Sequence, residues 1–234
     1  QLMGRDTDGT LRAFLTIAQA NALKLPPDVS FEEGTLIQPL STVVHGQRQA
    51  SIKLTDSVVV VGLGASGLLH IQLSKLAGAY PVIAVGRSQW KLDLAKRMGA
   101  DMAVNSAQED PVVQVLRLTG HQGADAVIEA VGVPETFIQS LEMTKPGGRV
   151  LGFGISHRPL PSLDLYRMYL TEMTLVFSRA TTPADFRETV ALVASKRLCL
   201  KLLLTQEYSL EEAALAFQFA EEEHSKVLRA VIKP

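Results

Sequence analysis

The stretch Ser57–Gly67, SVVVVGLGASG, sets four consecutive valines between a polar residue and a glycine. β-Branched side chains pack well on a pleated surface, so Val58–Val61 reads as a strand buried on both faces. Gly62, Gly64 and Gly67 then spell G-x-G-x-x-G, and Leu68, Leu69, Ile71, Leu73, Leu76 and Ala77 recur behind them at helical spacing. Strand, tight turn and helix form the context in which this motif takes a dinucleotide. Gly62 permits the turn, Gly64 lets a pyrophosphate approach the backbone, and Gly67 lets helix and strand pack closely. Ala65 and Ser66 belong to the helix N-terminus, whose unpaired N–H groups and partial positive charge favour an anion.

Downstream the unit repeats. Tyr80–Val85 reads as a second buried strand, Ser88 is placed to cap a helix that Gly99 ends, and Asp101–Val104 is a third strand. Asp110 with Pro111 opens a helix through Leu118, Ala124–Ala130 is a fourth strand, and Pro134–Met143 is helical. After a Pro146-Gly147-Gly148 turn, Arg149–Phe153 and Thr174–Phe177 supply two more strands. Strands alternating with helices predict an α/β fold, a doubly wound parallel Rossmann sheet.

The flanks read differently. Phe14, Ile17, Leu23 and Leu25 suggest short strands ending at Pro26-Pro27-Asp28; Ser30 and Glu33 form a capping box, and Pro39 interrupts before a second apolar stretch, Thr42–Ala50. Beyond Ser178, Thr182-Pro183-Asp185 opens a helix through Ala194, Leu202–Leu204 is extended, Ser209 and Glu212 form a second capping box, and Val227–Ile232 closes as a strand. Glu221–Glu223 reads as a solvated helix face.

With 234 residues, 47% of them hydrophobic, the chain can bury a sizeable core. A net charge of −1 shows no basic excess, which argues against nucleic acid and anionic membrane as partners. The apolar run Val58–Ile71 is broken by glycines and too short for a bilayer core of roughly 30 Å, so no membrane segment is expected. Cys199 is the single cysteine, which excludes an internal disulfide and fits a reducing, cytoplasmic setting.

Taken together, Ser30-Phe31-Glu32-Glu33-Gly34, Gln38-Pro39-Leu40, His45, GLGASGLLHIQLSKLAGA, KLDLAKRMGAD, VIEAVG, KPGGRVLGFG, Ala184-Asp185-Phe186 and SLEEAALAF resemble the medium-chain alcohol dehydrogenase/reductase superfamily, nearest its threonine and sorbitol dehydrogenase type. The motifs arrive in order over nearly the whole chain. The resemblance implies a dinucleotide-binding Rossmann domain at 39–178, with 1–38 and 179–234 a remnant of a GroES-like catalytic domain. It implies hydride transfer between a nicotinamide and a small alcohol or carbonyl compound, and a homodimer or tetramer. For that assembly the apolar segment Leu160–Leu170 beside an edge strand is the candidate surface.

The same resemblance implies a zinc site whose first ligands, a Cys and a His-Glu pair, and whose four-cysteine structural loop would lie upstream of Gln1. Its third ligand is a Glu in Glu-Pro-Leu, where this chain has Gln38-Pro39-Leu40. An amide is a weaker zinc ligand than a carboxylate. Zinc is therefore not expected in this chain, no catalytic residue is assigned, and the chain alone is expected to be a poor catalyst. A zinc-independent quinone or enoyl reductase of the same superfamily, or a non-catalytic dinucleotide-binding sensor, remain the alternatives. His45, with no carboxylate at recognisable spacing, reads as structural. His70, His121, His157 and His224 show no ligand spacing.

Alignment with the family implies further cofactor contacts. Thr42 would pack against the nicotinamide, Ala130 and Val131 would line the cleft, Gly152, Phe153, Gly154 and Phe177 would flank the nicotinamide, and Arg229 would reach the pyrophosphate. One choice can be argued from the residues. An Asp or Glu about 20 residues beyond the glycine motif usually reads the free ribose hydroxyl of NAD. That place is held by Gly86, followed by Arg87, Ser88 and, one turn on, Lys91. Room, a planar fork of donors and a helix-start N–H suit a 2′-phosphate, so NADP is expected over NAD.

Overall fold

The computed structural model describes residues 4, 6–160, 162–223 and 225–234. In chain order its helices and strands are α1 (Phe31–Thr35), α2 (Ile37–Ala50), β1 (Val58–Val61), α3 (Ala65–Leu76), β2 (Val82–Gly86), α4 (Gln89–Arg97), β3 (Met102–Asn105), α5 (Pro111–Leu118), β4 (Ala124–Glu129), α6 (Pro134–Met143), β5 (Thr144–Gly152), α7 (Leu165–Thr171), β6 (Thr174–Phe177), α8 (Pro183–Ala194), β7 (Leu204–Ser209), α9 (Ala213–Glu222) and β8 (Arg229–Lys233). Two compact units result: residues 38–189, and residues 1–37 with 190–234.

The larger unit holds a six-stranded sheet in the order β3-β2-β1-β4-β5-β6, every neighbouring pair parallel. This is the doubly wound sheet expected from the strand and helix alternation. The tetravaline strand lies inside it, Val58 paired with Val82 on one side and with Ala126 on the other. All four valines are buried, as a strand covered by helices on both faces requires. Val59 and Val61 pack with Ile83, Val85, Val104, Val127 and Met143 in one apolar cluster.

Several local expectations are corrected. Pro39 does not interrupt a helix: it sits in the first turn of α2, where its nitrogen owes no intrahelical hydrogen bond. Residues 145–148 loop out within β5, because the pairing jumps from Ala124↔Thr144 to Ala126↔Arg149. Gly147 takes a φ of +70° at that excursion. The Ser88 backbone begins α4 as expected, but its hydroxyl makes no capping hydrogen bond. By contrast, Asp110 caps α5 through Val112 and Val113, and Thr182 and Asp185 close a reciprocal box on α8.

In the smaller unit, the Ser30–Glu33 capping box forms in full. Residues 11–29 form a 3₁₀ turn at Gln19–Asn21 and no strand: Phe14, Ile17 and Leu23 stay exposed, and among the described residues no strand pairs with this segment. Lys201–Leu203 is also a 3₁₀ turn, and extended backbone starts at Leu204. Only half of the second box survives. The Glu212 carboxylate accepts from the Ser209 N–H, and α9 begins after Glu212. β7 and β8 form a parallel pair.

Candidate functional site

The strand order reverses between β1 and β4, and the glycine turn stands at that point. Gly62 has a φ of +98°, and a Cβ there would lie 2.6 Å from Val131 and 3.1 Å from the Ala130 carbonyl carbon. The turn is thus pressed against the chain leaving β4. At Gly67 a Cβ would come within 1.8 Å of the Gly62 carbonyl oxygen, so only glycine lets α3 start this close to β1. Gly64 is exposed, with nothing within 4 Å of a Cβ. No side chain caps α3, whose first helical bond runs from the Leu68 N–H to the Gly64 carbonyl. The N–H groups of Ala65, Ser66 and Gly67 therefore have no intrahelical partner, the condition for holding an anion.

Beside this turn, β2 ends at Gly86. No carboxylate stands at Gly86-Arg87-Ser88. Arg87 is exposed and in no ion pair among the described residues, and the Ser88 hydroxyl is not engaged in capping. The Lys91 ammonium lies 5.3 Å over the Trp90 ring, and burial pushes its pKa down. The space opposite Gly86 is not empty as the sequence suggests. A Cβ there would meet Leu63 Cδ1 at 2.7 Å, a side-chain tip that can turn away.

On the other side of the turn, buried Glu129 ends β4 and organises the loop after it. Its carboxylate accepts from the N–H groups of Val131 at 2.9 Å and Gly132 at 3.0 Å and from the Thr136 hydroxyl at 2.7 Å. Its backbone carbonyl accepts from the N–H groups of both Phe153 and Gly154. A Cβ on Gly154 would lie 2.2 Å from the Gly132 nitrogen, so the loops after β4 and β5 interlock through glycines. A cavity of about 290 Å³ opens there, lined in part by Gly152, Phe153, Gly154, Phe177 and Ser178. Phe177 is exposed and stacks on Phe137 at 5.7 Å.

The structure thus brings Gly62, Gly64, Ala65, Ser66, Gly67, Gly86, Arg87, Ser88, Ala130, Val131, Gly152, Phe153, Gly154 and Phe177 to the carboxyl ends of β1, β2, β4, β5 and β6, or just beyond them. Lys91 follows on α4. Thr42 lies on α2, its hydroxyl donating to the Pro39 carbonyl at 2.7 Å. Arg229 opens β8 in the smaller unit and is exposed.

A polar cluster escaped the sequence reading. His45 does have a carboxylate partner: its Nδ1 lies 2.9 Å from Asp185 Oδ2. Asp185, fully buried, also accepts from the Thr182 N–H and hydroxyl and from Arg48, which reaches Glu188 as well. Burial alone would raise the Asp185 pKa, but Thr182, His45 and Arg48 outweigh it and hold the carboxyl below its usual range. The pair joins α2 to α8 across 140 positions, a separation that local spacing does not reveal. His224 lies outside the described residues.

A nicotinamide dinucleotide fits the donors and clearances at the glycine turn. Among the described residues no three His, Cys, Asp or Glu side chains converge on a metal position, and Gln38 is exposed. No helix of the described residues is long and apolar enough to cross a membrane.

A family model described as zinc-binding dehydrogenase matches residues 65–195. An alcohol dehydrogenase from Cupriavidus necator is 32% identical over 238 aligned residues, covering 99% of this chain and 64% of that protein. Among solved structures, an alcohol dehydrogenase from Thermus sp. ATN1 superposes with a TM-score of 0.90 at 30% identity, over 97% of this chain and 66% of the other. A protein from Sinorhizobium meliloti 1021 described as a zinc-binding dehydrogenase bound to NADP gives a TM-score of 0.87 at 26% identity, over 97% of this chain and 67% of the other. The chain accordingly spans 64% of the length of its Cupriavidus relative.

Proposed function

We propose a function from one premise: the chain belongs to the zinc-binding dehydrogenase family, within the medium-chain dehydrogenase/reductase superfamily. It serves as the dinucleotide-binding part of an oxidoreductase that moves hydride between a nicotinamide and a small alcohol or carbonyl compound. The observation that carries this reading is the glycine turn at the strand-order reversal, open at Gly64 and closed at Gly67. The cofactor supplies the hydride chemistry; the residues of this chain bind, orient and exclude water. The N–H groups at the start of α3 hold the pyrophosphate, and Val131, Phe153 and Thr42 line the nicotinamide end. In this reading residues 39–178 are the Rossmann domain, and 1–38 with 179–234 belong to a GroES-like catalytic domain.

NADP is the preferred cofactor. Support comes from Arg87 free of ion pairs among the described residues, the uncommitted Ser88 hydroxyl, and the missing carboxylate at the end of β2. A charge-assisted pair to a 2′-phosphate contributes about 1.5–3 kcal/mol, or roughly ten- to a hundredfold in affinity. Titrating the chain with NADPH and NADH tests this directly, and tighter NADH binding would refute it. Replacing Gly86→Asp together with Arg87→Leu should reverse the order and weaken the salt dependence of NADPH binding, with Leu63 turning aside.

Gln38, an amide where the sorbitol type has a carboxylate, favours a second reading: a zinc-independent reductase of the same superfamily. Assaying alcohols against quinones and enoyl compounds with and without added zinc separates the two. Cofactor binding without turnover of any of them would point instead to a sensor.

A further inference from the structure

We propose that His70 is a positioning residue for the dinucleotide: held in one tautomer against Phe153, its ring fixes the wall of the cleft that faces the nicotinamide half. The inference rests on the dinucleotide reading above and adds to it a residue that touches neither cofactor nor substrate.

His70 is fully buried on α3, three residues past the last motif glycine. The amide nitrogen of Gln47, on α2, lies 3.1 Å from the His70 carbonyl, 3.0 Å from Ser74 Oγ and 3.2 Å from His70 Nδ1. A carbonyl can only accept, so this end of Gln47 is the donor NH₂ and Nδ1 beside it is an acceptor. The ring proton therefore sits on Nε2. That nitrogen is buried and meets no hydrogen-bond acceptor among the described residues. Burial also pushes the imidazole pKa down to about 3, so the ring is neutral at ordinary pH.

An imidazole buried with one N–H unpaired is costly, and an aliphatic side chain would fill the space without that cost. The neighbour explains its use. Phe153 meets His70 edge to face, with ring centroids 4.6 Å apart and planes at 84°, an arrangement that fixes ring direction as apolar packing alone does not. Gly46 closes the seat: a Cβ there would lie 3.1 Å from the Phe153 ring and 3.4 Å from His70 Cε1. The Phe153 backbone is already tied to the Glu129 carbonyl at 2.9 Å. Ring orientation is the freedom left, and His70 removes it.

The test titrates the full chain with NADPH and 2′-phospho-ADP-ribose, and in parallel with NADH and ADP-ribose, pairs that differ only in the nicotinamide. His70→Leu should weaken the dinucleotide about tenfold, the loss of one oriented aromatic contact, and leave the fragment unchanged. Phe153→Ala should give the same split, and the double variant no further loss. A wild-type chain that binds none of the four overturns the dinucleotide reading and this inference with it. A wild-type chain that binds, with His70→Leu lowering both members of a pair equally or neither, overturns this inference alone. Should His70→Leu fail to fold, ¹⁵N-labelled wild-type protein decides. His70 must show a protonated Nε2 and a bare Nδ1, with resonances that move on adding the dinucleotide and not on adding the fragment. The opposite tautomer, or equal responses to both, overturns the inference.

Discussion

A methyl group at Gly67 would press on the Gly62 carbonyl oxygen, whereas one at Gly64 would meet open space, although both belong to the same motif. Gly67→Ala must move backbone and should cost about 2–3 kcal/mol, read as a lower urea midpoint. Gly64→Ala should leave that midpoint within about 0.5 kcal/mol and reduce dinucleotide affinity instead. His70 gives a second residue-level prediction. Its folded pKa is depressed by burial to about 3 from an ordinary 6.5. Between those values the unfolded chain binds a proton that the folded chain does not, so stability is full above pH 6.5 and falls as pH drops toward 3. The slope reaches about 1.4 kcal/mol per pH unit. Urea melts at pH 7 and pH 5 should diverge, and His70→Leu should narrow the gap. Gly67 was legible because it acts on a carbonyl only five residues back in the chain, whereas the press of Gly62 on Val131 was not. The partners of His45 and His70, namely Asp185 and Phe153, were not, since each contact joins elements distant in the chain.

Many strands and caps were read well where the code is local, although the Ser88 cap and half of the Ser209–Glu212 box were not. Val58–Val61, Pro111–Leu118, Pro134–Met143 and Thr174–Phe177 lie where periodicity and capping residues put them. Residues 11–29 failed because a strand needs an edge to pair with, and composition cannot supply one. The element of most consequence is α7, read in the sequence only as an apolar segment. Leu163, in the preceding loop, and Met168 pack inward on Phe137, Leu141 and Val150. Leu165, Tyr166, Tyr169 and Leu170 stay exposed on α7, which packs on β5, and β6 is the edge strand that follows it. A second copy of this chain is the proposed occupant of that face, with β6 edges meeting. Pro161, within the same segment, lies outside the described residues. Light scattering should give at least a dimeric mass at micromolar concentration. Leu165→Glu with Tyr169→Glu should return it to a monomer of unchanged circular dichroism.

At the scale of the molecule, alternating periodicities were enough to predict a parallel doubly wound sheet, because hydrophobic patterning and right-handed crossovers leave few other arrangements. The candidate cleft was visible in the sequence as a motif but not as a surface. Its far wall comes from Ala130, Val131 and Gly152–Gly154, brought to the glycine turn only by tertiary pairing. That pairing has a consequence in time. β1 finds β2 after a short helix, but its other edge waits for β4, with α3, β2, α4, β3 and α5 made in between. Closing the longer loop comes at greater entropic cost, so the β1–β4 seam zips late. A chain arrested before β4 would expose one bare edge of its most valine-rich strand, a template for aggregation, and would hold no complete cleft. Pulse-labelled hydrogen exchange during refolding should protect the β1–β2 amides before those linking β1 to β4. Dinucleotide added from the start should leave that first phase unchanged and slow only unfolding, since the pocket it recognises is a seam that exists once the two halves of the sheet have met.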